Sequence, residues 1–222
     1  MNKAALKESS KSVPAKKRTA SKEERQLQLI QATIRSVARN GLSDTTMATV
    51  SKEAGLSQGI INLHFQSKDR LLVETLRFLS EQYQLAWEKA VSKAGDAPAD
   101  KLAAMLATDF KPPVCDRNKL AVWFAFWGES KSRPTYRKIC ALRDMAYRVE
   151  MVQVCEELVE KGGYQDIDAG TVAAGLSAMT SGLWLDMLTN PRSMSRQRAK
   201  QISMSFLATT FPRHFPERSA QS

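Results

Sequence analysis

The stretch TTMATVSKEAGLSQGIINLHFQSKDRLL, residues 45–72, decides how this chain is read. Thr45 or Thr46 can open a short helix whose inner side carries Met47, Val50 and Ala54. Gly55 breaks that helix where a turn benefits from a residue tolerant of positive φ. Ser51 is small where two short helices must touch, and Ile61, six residues beyond Gly55, points into their shared core with Val50 and Phe65. Ser57 can cap a third helix ending near His64-Phe65. Ser67 can cap a fourth, in which Leu71, Leu72, Thr75, Leu76 and Leu79 continue toward Lys93. A small residue, a glycine and an aliphatic at these offsets are the geometry of a helix-turn-helix.

Upstream, Ser21 and Glu24 have capping-box spacing, and Leu27, Ile30, Ile34 and Val37 recur at helical intervals up to a stop at Asn40-Gly41. Residues 1–21, rich in Lys, Ser and Ala without a periodic apolar face, read as a disordered basic tail that either tracks phosphates or only solubilises. Downstream, GDAP at 95–98 is a turn, an apolar-periodic helix covers 99–110, and KPP at 111–113 stops it. A strongly apolar segment runs from Asn118 to Glu129, a long amphipathic helix from Pro134 to Glu160, an uncharged helix from Asp168 to Thr189, and a last helix from about Ser195 to Thr210. No strand run bounded by hairpin turns and no internal repeat interrupts the pattern. The expected fold is all-α with about nine helices. A helix-turn-helix DNA-binding domain spans 22–67, a helical effector-binding and dimerisation domain spans 68–212, and a short tail follows over 213–222.

Composition points the same way. The net charge is +10, and residues 1–95 hold 16 of the 33 Lys/Arg but only 9 of the 23 Asp/Glu. The positive surplus belongs mainly to the N-terminal part of the chain, which suits a polyanionic partner. Cys115, Cys140 and Cys155 form no CxxC pair, so neither a disulfide framework nor a zinc site is expected, and a reducing cytoplasm is the simpler location. The uncharged run Ala169–Leu185 is short for a membrane span and carries Thr171, Ser177, Thr180 and Ser181, so it reads as a buried helix.

The 45–72 run resembles the TetR family of bacterial repressors. The residues that carry the resemblance are Thr45, Thr46, Val50, Ala54-Gly55-Leu56-Ser57, Gly59, Ile60, Ile61, Asn62, His64-Phe65 and Lys68. Ser51 stands where that family usually has Ala, and Asn62 where it has an aromatic. The resemblance implies that the helix from Ser57 to His64 enters a major groove. Gln58 is then the best base reader, because its amide can pair with adenine through two hydrogen bonds. Gly59 lets the backbone approach. Thr45, Thr46, Ser57, Asn62, His64 and Lys68 complete the expected DNA-binding set, although Thr46 and Ser57 would cap helices in any case.

The C-terminal half is similar to the BetI type of choline-responsive repressor, through LAVWFAFW at 120–127 and the segment Gly175-Leu176 to Gly182-Leu183-Trp184-Leu185. Ser181 stands where that subgroup has Asp. Trp123, Phe126, Trp127, Tyr136 and Trp184 are candidate walls for a ligand cation, with Asp109, Glu129 or Asp186 as counter-charge. Core packing is the competing role for each aromatic. Choline or a related quaternary ammonium compound is the effector this resemblance implies. Leu176, Met179 and Leu183 of one helix, with Ile202 and Phe206 of the last, are the expected homodimer contact.

Rival readings are an enzyme and a sequence-neutral DNA-compacting protein. No GxSxG, phosphate loop, HExxH or paired Cys/His set is present, and His64 and His214 are isolated, so no catalytic residue, metal ligand or cofactor is expected. Operator DNA, a small effector and a second copy of the chain are the expected partners, with no membrane.

Overall fold

A computed structural model describes residues 21–216, and every statement below concerns those residues. They form nine helices and no strand. The helices are α1 (Lys22–Asp44), α2 (Met47–Ala54), α3 (Gln58–Phe65), α4 (Lys68–Lys93), α5 (Pro98–Asp109), α6 (Arg117–Glu129), α7 (Pro134–Gly162), α8 (Ala169–Thr189) and α9 (Arg196–Thr210). The all-α expectation holds. Residues 1–20 and 217–222, which include almost all of the expected basic tail, lie outside the described residues.

Local chemistry accounts for the boundaries. Ser21 and Glu24 close the capping box, with the Ser21 hydroxyl accepting from the Glu24 N–H. Gly41 breaks the α1 backbone at φ 77°, where the Asn40-Gly41 stop was expected, before a further turn to Asp44. Gly163, at φ 60°, ends α7 in the left-handed conformation.

Two cores result. A small one joins Leu29, Ala32, Val50, Ala54, Ile61, Phe65 and Leu71. A large one runs through the remaining helices and includes Ile34 and Val37. α1 and α4 thus contribute to both cores, and α1 also packs along α6. The DNA-binding domain is therefore set into the effector domain rather than strung from it.

Two expectations need correction. Residues 213–216 are not a loose tail. The Arg213 N–H donates to the Tyr164 hydroxyl, its guanidinium donates to the Gly162 carbonyl, and Phe215 is buried. The helix α8, uncharged up to Leu185, is buried on one face only, because Ala174, Gly175, Ala178, Gly182 and Leu185 are exposed on the other. No helix is long and apolar enough to cross a membrane.

Candidate functional site

The candidate DNA-facing surface is built around Gly55. Its backbone sits at φ 65°, ψ 31°, and its N–H donates to the carbonyls of Lys52 and Ser51, turning the chain from α2 into α3. Thr46 caps α2, its hydroxyl accepting from the Thr49 N–H at 3.1 Å while the Thr49 hydroxyl accepts from the Thr46 N–H at 2.8 Å. Ser57 occupies the corresponding position before α3, but its hydroxyl makes no capping bond.

Ile61 and Phe65 bury the inner face of α3. Gly59 and Leu63, one turn apart, face away from it. Gln58 and Asn62 are exposed on the flank. A Cβ added to Gly59 would meet only the Ser57 Oγ at 3.8 Å, an ordinary contact. Nothing inside the protein thus requires glycine there.

Two residues of the expected DNA set, Thr45 and Lys68, have other attachments, and a third, His64, is partly enclosed. Thr45 is 1% exposed, its hydroxyl donating to the Gly41 carbonyl at 2.8 Å and lying 3.2 Å from the Ser36 Oγ. It locks the α1–α2 seam and is unavailable to a ligand. The Nδ1 of half-buried His64 is enclosed without a partner. The Lys68 ammonium donates to the Ser43 carbonyl at 2.9 Å.

Leu63 lies outside the expected DNA-binding set, whose members are polar residues and a glycine. At 79% exposure it is the most exposed large hydrophobic side chain among the described residues. The sequence signal was an aliphatic residue lying off the Ile61–Phe65 face.

A second site lies in the effector domain. A cavity of about 480 Å³ is walled by Tyr83 of α4, Trp127 of α6, Arg143 of α7 and Ser177, Ser181 and Trp184 of α8. The Trp127 and Trp184 rings stack at 14° with centroids 6.4 Å apart. The Arg143 guanidinium lies 4.3 Å from the Trp123 ring centroid, 5.3 Å from that of Tyr83 and 5.4 Å from that of Trp127. Each such contact is worth about 0.5–2 kcal/mol. The cation inside the aromatic cluster is the chain's own. Its Nε donates to half-exposed Asp144 at 2.8 Å, and its buried Nη1 has no hydrogen-bond partner. Arg143 also escaped the sequence reading, although it shares the buried α7 face with Cys140, Tyr147 and Met151.

Asp109 ends α5 with no exposure. Its two carboxylate oxygens accept from the Tyr83 and Tyr147 hydroxyls, each at 2.8 Å, and the Thr180 hydroxyl lies 3.5 Å away. Its backbone carbonyl accepts from the Trp184 indole N–H at 2.8 Å. Burial raises its pKa to about 7 in spite of these hydrogen bonds and Arg143.

The seven expected ligand residues therefore divide. Trp127 and Trp184 line the cavity, Trp123 stacks on Arg143, and Asp109 stands behind the tyrosines. Phe126 and Tyr136 pack edge-on at 4.9 Å within the core, away from the cavity. Glu129 accepts from the Ser132 hydroxyl at 3.2 Å, beside a separate small space bounded by Lys68, Arg133 and Tyr136. Asp186 accepts from the Asn190 side chain at the end of α8.

Of the expected dimer residues, Leu176 and Leu183 are buried in the protomer's own core, because their side of α8 faces α7 and α6. Met179 and Ile202 are half-buried, and Phe206 is 39% exposed. Leu185, which was not anticipated, is 46% exposed. No group of His, Cys, Asp and Glu among the described residues could hold a metal ion.

A helix-turn-helix set into a helical domain that carries a partly open cavity is the architecture of a DNA-binding regulator. Residues 29–75 match the model of bacterial regulatory proteins of the TetR family, and residues 98–212 match that of the BetI-type transcriptional repressor C-terminal domain. The chain belongs to the TetR family and carries a BetI-type C-terminal domain; it is a transcriptional regulator and not an enzyme.

Among curated relatives, the HTH-type transcriptional regulator BetI of Burkholderia thailandensis is 35% identical over 164 residues, 74% of this chain and 82% of the relative. The regulator BetI of Stenotrophomonas maltophilia is 28% identical over 183 residues, 82% and 91% of the two chains. A transcriptional regulator from Pseudomonas aeruginosa superposes with a TM-score of 0.76 at 29% identity, covering 88% of this chain and 96% of its own. One from Saccharomonospora viridis, solved in complex with choline, shares the fold with a TM-score of 0.72 at 24% identity, covering 83% and 96%.

The buried carboxylate has a measurable consequence. An unfolded Asp titrates near pH ~3.9. Between about pH 4 and 7 the unfolded chain has released this proton while the folded chain keeps it. Asp109 therefore lowers stability as pH rises through that window and adds no further change above it. D109N is expected to flatten this part of the stability profile, read as urea midpoints at several pH values. An unchanged slope would contradict the assignment.

Proposed function

We propose that this chain represses transcription as a homodimer and leaves its operator when a small organic effector fills the cavity between α4, α6, α7 and α8. The observation that carries the DNA half is the exposed edge of α3. Gln58, Gly59, Asn62 and Leu63 are all open on the helix that Gly55 sets apart. Gln58 suits adenine, and Leu63 suits the methyl group of thymine. Thr46 and Ser57, at the starts of α2 and α3, suit phosphates, and Asn62 and Lys68 extend that set.

Two copies are needed because one short helix reads only a few base pairs. Paired recognition helices must stand about 34–36 Å apart to enter successive major grooves. The outer face of α8, where Gly175 and Gly182 allow close approach beside Ala174 and Ala178 at the edge of the cavity, supports a contact completed by Leu185 and Phe206, with Met179 and Ile202 at its border.

The tryptophan walls of the cavity support an effector with a quaternary ammonium head, choline or a relative of it. The choline complex of the Saccharomonospora neighbour favours the same class. Such an effector meets a resident cation, since unit charges about 5 Å apart repel by about 3 kcal/mol at an effective dielectric constant of about 20.

Footprinting on the DNA beside its own gene tests the function: protection of one discrete, two-fold symmetric site supports it, and uniform protection that follows only salt contradicts it. The double variant L185E/F206E should elute as a monomer and protect that site poorly; an intact dimer would place the interface elsewhere. G59A separates folding from recognition. Alanine is the better helix former by up to about 1 kcal/mol, so thermal stability should hold or rise while operator affinity falls. Unchanged affinity would remove the close approach at Gly59.

A further inference from the structure

The effector cavity already contains a positive charge, and this restricts what can enter. Three rings surround the guanidinium of Arg143, a residue only 9% exposed. Its one ionic partner, Asp144, is half exposed, and both guanidinium contacts fall on a single Asp144 oxygen. Nη1 is left with no acceptor. A buried donor without an acceptor costs free energy that a suitable acceptor recovers.

Arg148 also borders the cavity, so its charged lining is two arginines against one aspartate. The carboxylate expected to balance a ligand cation is not available. Asp109 is shielded by the hydroxyls of Tyr83 and Tyr147 and does not border the cavity. Arg143 and Arg148 together outweigh Asp144, so the net charge around this space favours an acceptor over a second cation.

The geometry points to an effector that carries a carboxylate recognised by Arg143, with its apolar or ammonium body against Trp127 and Trp184. The guanidinium fork can meet a carboxylate with two donors, and its face remains stacked on Trp123 while it does so. This rests on the reading of the cavity as the effector site and narrows its ligand class from a bare quaternary ammonium to a compound that is anionic at one end.

Four small compounds isolate the two groups. Choline and trimethylammonioacetate share the ammonium and differ in a terminal hydroxyl or carboxylate. Tert-butylethanol and tert-butylacetate repeat that difference with no positive charge. Titration calorimetry on the full-length wild-type protein should rank each carboxylate at least about tenfold above its alcohol partner, as expected for a hydrogen bond to a charged group.

In R143Q the carboxylate preference should vanish, whereas R143K, which keeps the charge and loses the fork, should retain part of it. Circular dichroism and the elution volume of both variants establish that they fold. An alcohol that binds as tightly as its carboxylate overturns the inference, and so does a preference that survives in R143Q or a failure of all four compounds to bind. Operator release is measured in parallel. A carboxylate that binds without releasing DNA sinks the regulatory reading alone, and release by choline only sinks the present inference alone.

Discussion

A carboxyl group out of reach of water must find its partners inside the protein, and Asp109 finds them on three other helices. Tyr83 comes from α4, Tyr147 from α7, and Thr180 with Trp184 from α8, all converging on the last residue of α5. Leaving such a group unpaired costs far more than any one of these bonds contributes, so the four helices have one arrangement that satisfies it. The effector cavity is the space next to that arrangement. Tyr83 and Trp184 wall the cavity on one side while bonding Asp109 on the other. The shape of the cavity is therefore set by a hydrogen-bond network whose centre, Asp109, lies behind its wall.

The same domain buries a guanidinium by different means. Asp109 and Arg143 form no ion pair with each other. The first is held by hydroxyls, and the second by ring faces and one surface aspartate. Ring faces stabilise a cation without supplying an acceptor, so Arg143 keeps unused hydrogen-bonding capacity where a ligand can reach its surroundings. Had the two groups been paired, that capacity would have been consumed, and the cavity would have been lined by a neutral dipole instead of a charge.

The helices were legible because caps, glycines and apolar spacing act within a few residues of one another. Ser21, Gly41, Gly55 and Pro134 punctuate the chain where local chemistry requires it. The DNA-facing residues of α3 were legible for the same reason, since Ile61 and Phe65 define the buried face and leave Gln58, Gly59 and Asn62 on the other. Thr45 was misread because its partners, Ser36 and Gly41, belong to the seam with α1 and cannot be inferred from the α2 cap alone. The effector site was only partly legible. It gathers single residues from four helices, and the aromatic cluster of α6 does not reveal which of its members faces a cavity. Leu176 and Leu183 were misplaced for a related reason. An apolar stripe shows that a helix face is covered, and it does not show whether the cover is the protomer or a partner.

Coupling between the sites follows from the division of the cores. α4 carries Leu71 in the DNA-binding core and Tyr83 at the effector cavity, so it links the two sites along a single rigid element. It is not the only link. α6 presents Trp123 and Trp127 to Arg143 and packs along α1, whose Leu29 and Ala32 belong to the DNA-binding core. The junction is further tied by Lys68 on the Ser43 carbonyl and, more weakly because both groups are exposed, by Arg133 with Asp69. These two rails meet in the small core, which Leu29 and Ala32 of α1 share with Leu71 of α4, so a displacement of one bears on the other. The cavity is bounded by Tyr83 on one rail and Trp127 on the other, with Arg143 in contact with both rings. A group bound at Arg143 would therefore stand beside rings of both α4 and α6, so that both rails border the same space.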